Sequence, residues 1–69
     1  MGEEIDAASW DAMQSVLPAV GWRTCRNGMM VGVAYKASTT MAYTRHGDRY
    51  FVAAFDGRLW LDDLARRMV

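Results

Sequence analysis

The sequence predicts a small α+β domain in the order N-terminal helix, four-stranded antiparallel meander, C-terminal helix, and three observations carry that prediction. Apolar residues recur at helical spacing over residues 5–17, Asn27-Gly28 separates two β-rich runs, and a second helical stripe closes the chain. In the first helix Trp10, Met13 and Leu17 follow at spacings of three and four, and Ile5, Ala8, Ala12 and Val16 widen the stripe. Glu3, Glu4 and Asp6 fall where a helix N-terminus presents unpaired N–H groups, and Asp6 or Ser9 is placed to cap it. Pro18 lacks an N–H and disfavours α geometry at Leu17, which ends the helix there, and Gly21 turns the chain.

Asn-Gly tolerates the positive φ values of a type I′ turn, so residues 21–36 read as a hairpin. A two-residue turn sets Arg26 opposite Met29, Thr24 opposite Val31, Trp22 opposite Val33 and Val20 opposite Tyr35. That register gathers Val20, Trp22, Val31, Val33 and Tyr35 on the expected core face, and Arg23, Cys25, Met30, Gly32, Ala34 and Lys36 on the other. After the polar break Ala37-Ser38, residues 39–45 and 49–55 read as two further strands around His46-Gly47-Asp48. A three-residue loop there puts Met41 and Tyr43 on one face with Phe51, Ala53 and Phe55, whereas a loop of two or four pairs them differently. Asp56-Gly57 ends the sheet with Asp56 a candidate N-cap, and Leu61, Leu64, Ala65 and Met68 form the closing stripe. Asp62 and Asp63 precede Arg66 and Arg67 by four residues, the favourable order for ion pairs on a solvated helix face. The expected core is Trp10, Met13, Leu17, Trp22, Val33, Phe51, Leu61 and Leu64, in a single domain over residues 1–69.

Composition bounds the function. A chain of 69 residues removes only ~60% of its unfolded surface from water, so its core is small. With 52% hydrophobic and 23% charged residues it has the apolar surface to fold and too little net charge to stay disordered. One cysteine closes no intrachain disulfide, and Cys25 with His46 falls short of the usual zinc ligand set, so no metal or cofactor is expected. Residues 1–15 carry four acids and no base, unlike a secretory leader, and the uncharged run over 14–22 is interrupted by Pro18. It is too short to span a bilayer as a helix. A soluble cytoplasmic protein is expected.

The formal net charge of zero conceals a segment of minus four over residues 1–20 and one of plus four over residues 21–55. Either the acidic segment packs beside the basic one, or the middle of the chain forms an anion-binding sheet. Seven of the eight bases are arginine, whose guanidinium suits protein interfaces and nucleic acid alike. Six methionines read mainly as core filler.

Reactive chemistry is sparse. His46 is the one side chain that titrates near neutrality unperturbed, and it lies at a loop tip. Cys25 has no base beside it in sequence. Asp62 and Asp63 diverge by ~100° on a helix and share no face for a metal. These observations point away from an enzyme and toward a protein-binding module of the kind that phages and mobile elements use as inhibitors or regulators, with a protein partner that includes a second copy of the chain, in a homodimer, among the candidates. Its candidate contacts are Arg23, Met30 and Lys36 on the second sheet face, and Arg45, His46 and Arg49 around the distal hairpin. The alternative is a nucleic-acid-binding regulator using Arg23, Arg26, Lys36, Arg45 and Arg49, with Tyr50 for stacking. A third reading is a small hydrolase or nuclease using His46.

The helix, the Gly21-Trp22 hairpin and the terminal helix are similar in layout to double-stranded-RNA-binding domains and to small HicA-type RNA-cleaving toxins, over residues 13–27. Those toxins carry a histidine shortly after the Gly-Trp strand, where Asn27-Gly28-Met29-Met30 stands here. The likeness is one of architecture; it assigns no family and no activity.

Overall fold

The structure, a computed structural model, describes residues 2–68, the last of them in its backbone alone. It has the α+β class, with five strands instead of four: β1 (Glu3–Ile5), α1 (Ala7–Val16), β2 (Gly21–Thr24), β3 (Met30–Lys36), β4 (Thr39–His46), β5 (Arg49–Asp56) and α2 (Leu61–Met68). The strands form one antiparallel sheet in the order β1-β5-β4-β3-β2.

The additional strand corrects the reading of Glu3 and Glu4 as helix residues. Three residues show no usable periodicity, and their partner lies far along the chain: Glu3, Glu4 and Ile5 pair with Val52, Phe51 and Tyr50. Arg49 grips Glu4 with both nitrogens, Nη2 to Oε1 at 2.8 Å and Nε to Oε2 at 3.2 Å, so an acid from the first segment does meet a base from the middle. Those charge-assisted bonds hold the Glu4 carboxyl below its usual pKa. A carboxylate depressed by folding stabilises above its unfolded pKa, and that contribution disappears as pH falls through the folded value. We therefore expect β1 to be the first strand to lose amide-exchange protection below about pH 4.5, and Glu4→Gln to abolish that pH dependence.

Asp6 caps α1, accepting from the Ser9 N–H at 2.7 Å. The helix closes at Leu17, whose N–H donates to Met13 O at 2.8 Å, one residue ahead of Pro18.

The first hairpin is shifted by one residue from the expected register. Gly28 donates to Cys25 O and Cys25 to Met29 O, so Arg26-Asn27-Gly28 is a three-residue loop, with Gly28 at φ 84°. The Met29 N–H is drawn to Asn27 Oδ1. Such a loop, a turn followed by a left-handed glycine, uses Asn-Gly as well as a two-residue turn does. The shift puts Trp22 opposite Gly32 and Arg23 opposite Val31, so Trp22 leaves the Val31–Val33 face while Arg23 and Cys25 join it. The distal loop has two residues: His46 pairs with Arg49, and Gly47 takes φ 65°. Tyr43 thus faces Val52, while Phe51 faces Thr44. The intervening turn, between Lys36 and Thr39, holds Ala37 at φ 54°. A left-handed alanine is strained, so Ala37→Gly should raise stability by about 0.5–1 kcal/mol in denaturant unfolding.

Alternation along the strands divides the core into two halves. On one face Leu64 of α2 covers Met29, Val31, Val33 and Ala42, with Leu61 and Phe55 beside them. On the other, Trp10 of α1 covers Ala34 and Tyr43, flanked by Met13, Leu17 and Val52. Of the expected core, Trp22 is displaced to 40% exposure. Hydroxyls tie the end of α1 and the loop that precedes α2 to the sheet. Tyr43 donates to Leu17 O at 2.6 Å, and burial pushes its phenol pKa up. Tyr35 donates to Leu59 O at 2.6 Å, and Thr40 both donates to Gly57 O and accepts from Leu59 N.

Asp56 is a strand residue paired with Thr39 and not a helix cap, because the intervening loop lets α2 begin only at Leu61. Asp62 pairs with Arg23 across the structure and Asp63 with Arg66 one turn on, instead of the expected four-residue pairs. Arg67 lies over Phe55. The Met68 side chain expected on the stripe lies outside the described residues. Beneath this layer the Thr44 hydroxyl is buried with no hydrogen-bond partner among the described residues. Thr44→Val keeps the shape and removes the orphaned group, so a gain of about 1–2 kcal/mol is expected by urea titration.

Candidate protein-contact site

The six expected contact residues do not share a surface. Register places Arg23, His46 and Arg49 on the α2 face of the sheet and Met30, Lys36 and Arg45 on the α1 face. Arg23 is held by Asp62, Arg49 by Glu4, and Lys36 lies at the end of β3 opposite Thr39. Met30 and Arg45 are brought together as direct cross-strand partners. With Trp10, Gln14 and Trp22 they line a shallow cleft of about 190 Å³.

Trp22 can form a wall of this cleft because β3 carries no side chain at Gly32. The Trp22 indole lies flat against that position, where an added Cβ would stand 2.7 Å from the ring. Trp22 in turn meets Trp10 with centroids 5.9 Å apart, and Trp10 is fixed by Tyr43 at 5.4 Å and Tyr50 at 5.1 Å. Arg45 spreads over Tyr50 at 5.4 Å and donates Nε to Gly47 O at 3.1 Å. Among the described residues no carboxylate pairs with Arg45. The result is an aromatic floor beside a guanidinium whose outer nitrogens remain available, an arrangement matched to an apolar group with a neighbouring carboxylate.

The Trp10–Gln14 ridge of α1 borders this cleft, and its Met13–Leu17 ridge borders an apolar groove that Ala12, Val16 and Tyr43 complete. Val16 is 85% exposed and Val20 74%. The two tryptophans of the cleft were expected in the core. Trp10 does double duty there; Trp22 became legible only with the loop length, since a one-residue shift reverses the face of every residue in β2.

The α2 face has a second cleft, lined by Arg23, Thr24, Cys25, Arg26, Asp62, Ala65 and Arg66. Cys25 is a half-buried free thiol. Its N–H donates to Met29 O, and continuing the β3–β4 register by one residue sets Met29 beside His46, so the Cys25 and His46 backbones are separated by about two strand spacings, ~10 Å. His46 is exposed at the end of β4. The bases of the nucleic-acid reading divide between both faces, and Tyr50 is half-buried beneath Arg45. Among the described residues no three metal-ligating side chains cluster, and no helix is long and apolar enough to cross a membrane.

The site and fold together define a five-stranded antiparallel sheet held between two helices, with an aromatic and arginine cleft on one face. Comparison with protein-family models, with curated proteins and with solved structures yields no match in any of the three.

Proposed function

We propose that this chain is a non-enzymatic protein-binding module that acts by occupying a partner's surface, in the manner of a small inhibitor or regulator, with the Trp10–Trp22–Met30–Arg45 cleft at the centre of contact. The observation that carries the reading is the convergence of these four side chains. Tryptophan, methionine and arginine are enriched at protein interfaces, tryptophan and arginine at their energetic hot spots as well, because each buries a large area while keeping a directional or adaptable contact. Exposed Val16 adds apolar area in the groove on the other ridge of α1. The partner offers an apolar side chain to the tryptophans and a carboxylate to Arg45. The free thiol of Cys25 agrees with a cytoplasmic setting.

Selection of a displayed random-peptide library on the immobilised protein tests this. Enrichment of acidic and apolar sequences that no longer bind Arg45→Glu or Met30→Lys is expected. Both positions are exposed, so the fold of each variant should persist by circular dichroism. A library without enrichment, or peptides that bind both variants as well as the wild type, would remove the proposal.

A further inference from the structure

Edge strand β2 carries unpaired backbone between two chemically different clefts. The Cys25 N–H donates to Met29 O, and alternation along an antiparallel ladder then makes Arg23–Val31 and Gly21–Val33 the hydrogen-bonded pairs of β2 and β3. The N–H and C=O groups of Trp22 and Thr24 therefore point outward, and among the described residues no strand lies beyond them. On the α1 side of β2 is the tryptophan and methionine cleft; on the α2 side are Arg23, Arg26 and Arg66, with Asp62 the one acid that lines that cleft among the described residues. Arg26 has no ion-pair partner among the described residues.

We infer that the outer edge of β2 accepts an extended segment of a partner protein as a sixth strand, in which acidic residues alternate with apolar ones. The inference rests on the protein-binding reading and specifies its mode. Side chains of an added strand point alternately to the two faces, so acids on one set of positions meet the arginines while apolar residues on the other meet Trp22 and Met30. The opposite edge does not offer the same site: β1 carries Glu3 and Glu4 and is three residues long. The chain's own acidic strand is already paired with β5, which leaves the β2 edge to another chain.

The probe is a capped octapeptide alternating valine with glutamate, compared with one alternating valine with lysine. Binding of the glutamate peptide, followed by amide chemical shifts, should slow amide exchange at Trp22 and Thr24. Thr24→Pro removes an outward N–H and no ladder bond, so it should fold and lose that binding. With the wild-type protein, N-methylation of alternate peptide amides should abolish binding in one registration of the methyl groups. Arg26→Glu should weaken the glutamate peptide ~10-fold and strengthen the lysine peptide. Failure of the glutamate peptide to bind up to about 1 mM overturns the inference. Library-selected peptides that bind Thr24→Pro unchanged overturn it while leaving the protein-binding reading intact. Concentration-dependent self-association abolished by Thr24→Pro would make a second copy the occupant and overturn it as well.

Discussion

Leu64→Ala is expected to lower stability by about 2–5 kcal/mol, the range for emptying a fully buried leucine site. Leu64 is completely buried and is the side chain through which α2 reaches Met29, Val31, Val33 and Ala42. A chain this size has roughly 3–10 kcal/mol in total, so the variant should be partly or wholly unfolded at room temperature. Ala65, also buried, is too small to hold the contact alone. Urea unfolding followed by far-ultraviolet circular dichroism measures the loss, and Leu64→Met, which conserves volume, should cost less than about 1.5 kcal/mol. A Leu64→Ala protein as stable as the wild type would show that α2 is not anchored where the structure puts it.

Trp10→Ala should have a comparable effect, about 3–5 kcal/mol, on the opposite face. Trp10 is 6% exposed and touches Trp22, Tyr43 and Tyr50, so its removal empties the half-core under α1 and takes the floor from the contact cleft. The loss should be visible in the near-ultraviolet spectrum as disordered aromatic packing. Trp10→Phe restores part of the packing and separates the two consequences: stability should recover substantially, whereas peptides selected on the wild-type cleft should still bind weakly. If Trp10→Phe bound them at full strength, the indole would be packing material and the contact centre would lie elsewhere.

The division between what was legible and what was not follows the range of the interactions. Helix α1 and its end at Leu17 are written in local spacing and in Pro18, and the Asp6 cap acts over three residues. The meander of β2 to β5 follows from short loops between β-rich runs. Strand β1 was hidden because Glu3 and Glu4 acquire their role only from Phe51, Val52 and Arg49. Of the expected site, Met30 and Arg45 meet, while Arg23 and Arg49 are drawn into ion pairs on the other face.

Class, the order of the elements from α1 onward and the apolar character of Trp10, Val33, Phe51 and Leu64 were thus determined by the amino-acid sequence itself, through periodicities that need no knowledge of distant partners. Loop length in the two Gly-containing hairpins, and with it which face each side chain occupies, was decided only in the tertiary structure. The physical reason is that Asn27-Gly28 suits turns of two or three residues almost equally, so the choice falls to packing: the register that seats Trp22 on Gly32 and buries Met29 and Val31 under Leu64 is the one that both faces of the sheet can fill.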